Sequence, residues 1–142
     1  MIKKILLPTD GSETAGRAAQ MAVDLAQRYH ATLEIVSIID PMPFVSFSGG
    51  EALSFYLDAA EKAAAEGIAR AEGIARVGGV EFASRVLREH GPAQSICAYA
   101  QGNACDLIVM GSHGRRGLDA VLLGSVAQKV LTLATPPVLV VK

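Results

Sequence analysis

Asp106-Leu107-Ile108-Val109-Met110 runs directly into Gly111-Ser112-His113-Gly114-Arg115-Arg116-Gly117, after which Leu118 to Leu123 lead to Gly124-Ser125 and a new amphipathic stretch. An almost wholly apolar run of this length suits a strand covered on both faces, as the strands of a parallel sheet are. A glycine-rich turn after the strand, followed by a helix start, makes a strand–loop–helix unit. The fold then depends on whether the rest of the chain repeats that unit.

It does. Short β-branched or leucine-rich runs at Lys3 to Leu7, Thr32 to Ile38, Glu81 to Leu87, Asp106 to Met110 and Val138 to Val141 alternate with longer alanine-rich segments. This alternation is the pattern of βα units in an α/β fold with a parallel sheet. The fourth and fifth runs are apolar nearly throughout, which predicts cover on both faces for each. Helices are predicted over Thr14 to Tyr29 with Ser12 as cap, and over Glu51 to Arg76, which carries Gly67 and Gly73 inside and stops at Gly78-Gly79. A third opens at Gly91-Pro92 and ends near Gly102-Asn103; a fourth opens at Gly124-Ser125 and ends by Thr135-Pro136-Pro137. Asp40 to Gly50, with two prolines and two glycines, reads as a loop able to act as a lid.

Right-handed crossovers send the carboxyl end of every parallel strand to one edge of the sheet, and ligands bind at that edge where strand order reverses. Pro8 to Ser12 and Gly111 to Gly117 emerge there.

Composition restricts the functions to consider. A chain of 142 residues has the size of one compact domain over 1–142, and 51% apolar with 19% charged residues fits a globular core. A net charge of −1 with scattered Lys and Arg gives no basic stripe, so nucleic acid is not an expected partner. No apolar run approaches a membrane span, and the short apolar start is not a signal peptide; a cytoplasmic protein without a membrane partner is expected. Cys97 and Cys105 lack metal-site spacing and read as two buried reduced thiols.

The loop spells G-x2-G-x9-G-[ST] from Gly111 through Gly114 to Gly124-Ser125. Phosphate oxygens need converging N–H donors with no side chain in the way, and glycines let the backbone approach closely. A helix start at Ser125 adds unpaired amides and positive dipole potential. A sharp turn alone would explain two glycines; four of them, with the helix start, favour an anion site. By contrast, Gly11 to Gly16 followed by Arg17-Ala18 only mimics a P-loop, because the phosphate lysine and its hydroxyl neighbour are absent.

Strand, Gly-Ser-His-Gly, nine residues, Gly-Ser and the closing Pro137-Val138-Leu139-Val140-Val141 together resemble the ATP-binding branch of the universal stress protein family. The opening Lys3-Lys4-Ile5-Leu6-Leu7-Pro8-Thr9-Asp10-Gly11-Ser12 and the strand end Ile38-Ile39-Asp40 are similar to that family too. The resemblance covers essentially the whole chain. It implies an open five-stranded parallel sheet ordered 3-2-1-4-5, Rossmann-like with helices on both faces, and ATP across the ends of strands one and four. Matched residue by residue, Pro8, Thr9 and Asp10 fit the family's first-strand motif, which implies that Asp10 faces the adenosine and that the Ile38 backbone meets adenine. Met110, Gly111, Gly114, Gly124, Ser125 and Val126 would hold ribose and phosphates, with Ser112 and His113 between them. Magnesium or manganese would bind through the phosphates, and a homodimer would form through Val138 to Val141.

Each hydrogen bond to a charged group contributes about 1.5 to 3 kcal/mol, so three or four of them with adenine burial reach roughly micromolar affinity. Three functions follow: a nucleotide-dependent switch in stress response; a slow ATP hydrolase or phosphotransferase using His113; and a dimeric protective protein whose loop is structural. Of the hydrolytic machinery only charge stabilisation at the phosphate is visible, so no catalytic residue is assigned. Ser12 and Thr14 read as helix-start residues outside the site, Arg115 or Arg116 as a contributor to phosphate binding, and His30 and His90 as surface residues.

Overall fold

A computed structural model describes residues 1–41, 49–114 and 122–142. Its elements are β1 (Lys4–Pro8), α1 (Glu13–Tyr29), β2 (Thr32–Ile39), α2 (Gly50–Val77), β3 (Phe82–Arg88), α3 (Pro92–Gly102), β4 (Leu107–Gly111), α4 (Ser125–Leu133) and β5 (Val138–Val141). The strands form one parallel sheet ordered β3-β2-β1-β4-β5, the order the family resemblance implied.

Alternation along the central strands explains the two layers of helices. Ile5 and Leu7 of β1, Leu33 and Ile35 of β2, and Leu107 and Val109 of β4 pack with the alanine faces of α1 and α2. Leu6, Val36, Ile108 and Met110 point to the opposite face, against Ala93, Ile96 and Ala100 of α3 and Ala127 and Val130 of α4. One residue of register thus decides which core a side chain joins.

Strand β5 corrects one expectation. Its residues are only half-buried and Leu139 is exposed, whereas β4 is buried through its first four residues. Position explains the difference: β5 pairs with β4 alone at the end of the sheet. Its apolar sequence is therefore not accounted for by burial within this chain.

The interior glycines of α2 have different roles. A Cβ built on Gly67 would lie 2.9 Å from the Gly11 nitrogen, so this glycine lets α2 press on the turn after β1; a Cβ on Gly73 meets nothing within 4 Å. Asp106 fastens the opposite edge of the sheet, its Oδ2 accepting from the N–H groups of Lys3 at 2.8 Å and Lys4 at 2.9 Å. These bonds hold its carboxyl below the usual range. Cys105 is buried and Cys97 half-buried, both free; burial pushes both thiols up, Cys105 to about 11. Among the described residues no helix is long and apolar enough to cross a membrane.

Candidate functional site

After Pro8 the chain turns toward α1 on one face of the sheet, and after Gly111 it turns toward α4 on the other. The two carboxyl ends diverge between adjacent strands, which makes this edge the topological switch point. The first turn is tightly specified. Thr9 N–H donates to the Val36 carbonyl at 2.8 Å, Asp10 Oδ1 accepts from Ser12 N–H at 2.9 Å, and Gly11 has φ of 76°. Arg70 of α2 donates to the Gly11 carbonyl at 2.7 Å, so the helix that carries Gly67 also grips this turn.

Beside the turn opens a cleft of about 330 Å³, walled by Asp10, by Ser37 to Asp40 at the end of β2, and by Tyr56, Ala59, Ala60, Ala63 and Ala64 of α2. Its size falls within the range of small-molecule sites. A second void, about 30 Å³ beneath Thr9 to Ser12, has room for about one water and no ligand.

The register gives the cleft its polar edge. Residues of β2 alternate between neighbours: Thr32 donates to Lys3 and Val36 accepts from Thr9 on the β1 side, while Ile39 accepts from Glu89 on the β3 side. Ile38 therefore faces the β1 side, but β1 has ended, its last partner pair being Pro8 with Val36. The Ile38 N–H and C=O lie side by side with no strand partner there, one donor and one acceptor on the cleft wall. At the far end the Asp40 carbonyl accepts from Tyr56 OH at 3.4 Å, and the Asp40 carboxylate meets His90 Nδ1 at 3.0 Å. His90 is exposed, as predicted, but it is also half of this pair.

The glycine loop begins and ends at a pinned neck. Ser112 N–H donates to the Val141 carbonyl at 2.8 Å and the Ser112 carbonyl accepts from Gly124 N–H at 2.7 Å, holding the loop's two ends together. A Cβ on Gly111 would strike Thr14 Oγ1 and the Ala15 nitrogen, one on Gly114 would lie 2.8 Å from Asp10 Oδ2, and one on Gly124 would lie 3.2 Å from the Ser112 carbonyl. Gly114 and Asp10 thus face each other across the switch point.

The helices that start at this edge are capped differently. Ser12 caps α1 with its side chain, accepting from Ala15 N–H, whereas Gly124 opens α4 with no side-chain cap. The first-turn amides of α4, at Ser125 and Val126, have no intrahelical acceptor and no capping oxygen. His113 Nδ1 lies 2.7 Å from Ser112 Oγ, while its Nε2 is buried with no hydrogen-bond partner among the described residues. Open amides, space that any Cβ would fill and an orphaned ring nitrogen together suit an anionic ligand.

Most of the expected site residues come together here: Thr9, Asp10 and Gly111 to Gly114 at the switch point, Gly124 to Val126 at the loop's close, and Ile38 on the cleft wall. The side chains of Pro8, Thr9, Met110 and Ser112 are buried, with Met110 in the core under α3 and α4. Arg115, Arg116 and Gly117, and residues 42–48 of the expected lid, lie outside the described residues.

Two contributors were not anticipated. The Thr14 hydroxyl donates to the His113 carbonyl at 2.5 Å and accepts from His113 N–H at 3.4 Å, and Ser12 Oγ donates to the same carbonyl at 3.3 Å. The expectation that Ser12 and Thr14 only start a helix is incomplete: both touch the glycine loop from across the edge. The alanine wall of α2 was visible as alanines four apart, but only the tertiary position of α2 turns that stripe into a cleft lining. Among the described residues no group of three His, Cys, Asp or Glu side chains stands together to hold a metal.

Residues 1–142 match the Universal stress protein family. A universal stress protein of Thermus aquaticus is 39% identical over 146 aligned positions covering all of both chains. The solved structure of UspA from Lactobacillus plantarum superposes with a TM-score of 0.84 at 27% identity, covering 99% of this chain and 97% of that one. A universal stress protein from Archaeoglobus fulgidus, solved in complex with dAMP, shares the fold with a TM-score of 0.73 at 23% identity, covering 100% of this chain and 98% of that one.

Proposed function

The chain belongs to the universal stress protein family, and from that premise and the geometry of its switch point we propose that it binds ATP and acts as a nucleotide-dependent regulator. One observation carries the reading: an aromatic-sized cleft with an unpaired donor and acceptor at Ile38 opens beside a glycine loop that leads to the uncapped start of α4. An adenine ring presents an acceptor at N1 next to a donor at its amino group, the complement of one backbone N–H beside one C=O. Its faces are apolar and suit Ile38 on one side and the α2 alanines on the other.

In this reading Asp10, placed between cleft and loop, accepts from ribose hydroxyls. Gly111 and Gly114 keep the phosphate path clear, and the amides of Gly114, Ser125 and Val126 receive the phosphate oxygens. His113 Nε2 adds a ring nitrogen beside them. Magnesium or manganese, when bound, neutralises phosphate charge and is held by phosphate oxygens and water rather than by a protein cage. Binding changes the surface between Gly111 and Gly124, which a partner protein or second subunit then reads.

The reading also includes a homodimer through β5. The two sheet edges differ: β3 carries exposed Arg85 and Arg88, which discourage edge pairing, while β5 is Val-Leu-Val-Val with Leu139 exposed, and α4 also exposes Leu131 and Leu133. Sedimentation at micromolar concentration is expected to show a dimer that Leu139→Asp converts to monomer; a wild-type monomer refutes that part.

The nucleotide claim is tested by titrating purified protein with ATP in a calorimeter and by identifying any nucleotide released on denaturation. Saturable binding near one ligand per chain, with dissociation constants on the order of micromolar, is expected. Absence of heat and of released nucleotide refutes it.

A further inference from the structure

The Thr14 hydroxyl performs two tasks on one residue of the glycine loop. It donates to the His113 carbonyl at 2.5 Å and accepts from the His113 N–H at 3.4 Å, while Ser12 Oγ supplies a second donor to the same carbonyl at 3.3 Å. Both lone pairs of that oxygen are therefore directed at the start of α1. Thr14 is itself 9% exposed, so the clasp sits in a place where water does not readily substitute for it.

A consequence follows from peptide geometry. The described residues contain no cis peptide bond, and in a planar trans peptide the carbonyl and the next N–H point in opposite directions. Holding the His113 carbonyl against α1 turns the Gly114 N–H away from α1. Were that peptide to rotate, a carbonyl oxygen would replace the amide hydrogen, and an anion would meet negative instead of positive partial charge. Gly114 does not prevent this by bulk: it has no side chain, and its conformational freedom makes a rotation of the preceding peptide inexpensive.

We propose that Thr14 is a positioning residue that sets the orientation of the His113–Gly114 peptide, and thereby the ability of the loop to accept the phosphate chain of a nucleotide. The proposal rests on the nucleotide-binding reading above and adds to it the residue that arms the loop. Ser12 assists, but its oxygen is shared with the cap of α1, whereas Thr14 Oγ1 contacts both backbone polar groups of His113.

The test separates phosphate recognition from base recognition. Wild type, Thr14→Val and Thr14→Ser are each titrated with ATP and with adenosine by calorimetry, after their folding is checked by circular dichroism melts. Valine keeps the shape of threonine without its hydroxyl; serine keeps the hydroxyl. Losing one charge-assisted hydrogen bond corresponds to about a tenfold loss of affinity. Thr14→Val is expected to bind ATP about tenfold more weakly and adenosine within about twofold of wild type, and Thr14→Ser to restore ATP binding. Should Thr14→Val fail to fold, Thr14→Ala takes its place with the same expected ratio. An unchanged ratio of ATP to adenosine affinity in the hydroxyl-free variant, or an equal loss for both ligands, overturns the proposal while leaving the nucleotide reading intact. If wild type binds neither ligand, the nucleotide reading itself fails and the role of Thr14 falls with it.

Discussion

Gly67 and Gly73 lie in the same helix, and the same substitution at each is predicted to have opposite effects. Alanine in a helix interior is favoured over glycine by about 0.5 to 1 kcal/mol. At Gly73 the new methyl meets nothing within 4 Å, so the full gain is expected. At Gly67 it meets the Gly11 nitrogen at 2.9 Å, the Gly11 Cα at 3.1 Å and the Asp10 carbonyl carbon at 3.5 Å, all backbone atoms that cannot rotate aside. Relieving those contacts requires α2 and the turn to separate by about 0.5 Å, straining the Arg70 bond to the Gly11 carbonyl, and overpacking of this kind costs about 1 to 3 kcal/mol. Subtracting the propensity gain leaves Gly67→Ala destabilised by about 0.5 to 2 kcal/mol. At this chain length about 1 kcal/mol moves the melting temperature by roughly 3 °C, so the two variants should melt about 3 to 9 °C apart on either side of wild type. Urea unfolding at one fixed protein concentration, with midpoints compared at a common m value, measures the difference without interference from association. If Gly67→Ala is as stabilising as Gly73→Ala, α2 does not press on the turn after β1, and the account of how Asp10 is positioned is wrong.

Two further outcomes follow from the charged and polar groups. The amides of Lys3 and Lys4 hold the folded Asp106 carboxyl below the ordinary carboxylate range, so its contribution is present above the ordinary aspartate pKa and lost as pH falls through the lower folded value. Asp106→Asn should flatten the acid limb of a stability-against-pH curve below about pH 4; an unchanged limb contradicts this. Burial, with Glu34 2.9 Å from its hydroxyl, pushes Tyr99 up to about 12, so one of the three tyrosines should ionise well after the others in an ultraviolet titration. Stability gained from the neutral phenol is complete below about pH 10 and lost as pH rises through about 12, and Tyr99→Phe should cost about 1 to 2 kcal/mol at neutral pH.

Periodicity made the elements legible because the two cores impose it. Ile5, Leu6 and Leu7 are all apolar because β1 is covered on both faces, and Ala18, Ala22 and Ala26 recur because α1 lies flat on the sheet. The glycines at 111, 114 and 124 were legible as a motif from their spacing, and at 111 a Cβ would strike the start of α1. What escaped was whatever depends on the meeting of distant segments. Thr14 looks like an ordinary first-turn threonine until the loop 99 residues later is laid against it. Gly67 looks like a helix weakness until Gly11 is placed beneath it. Strand β5 was placed at the edge of the sheet, but the extent of its cover was not legible: an apolar run signals cover, and not whether this chain or another supplies it.

The start of α4 shows how stability and ligand binding compete at one residue. Gly124 has φ −63° and ψ 156°, nearly the backbone of the α1 cap Ser12 at φ −69° and ψ 168°, so glycine is not needed there for conformation. A capping side chain would fit the dihedrals, and its Cβ at 3.2 Å from the Ser112 carbonyl would be tight but tolerable. It would also place an oxygen on the first-turn amides of α4, where the phosphate chain is proposed to bind. Gly124→Asn is therefore expected to leave stability within about 0.5 kcal/mol of wild type, the cap gain of a few tenths offsetting the crowding. The same change should weaken ATP binding by about threefold to tenfold, because the nucleotide must displace an internal acceptor. Gly124→Asp adds a negative charge at the same position, so its affinity should fall further, and the excess over Gly124→Asn should shrink as salt is raised from 0.05 to about 0.5 M. Asparagine and aspartate variants that both bind ATP as tightly as wild type would mean that the amides of α4 receive no phosphate, and that the glycine at 124 serves only the packing of the loop's neck.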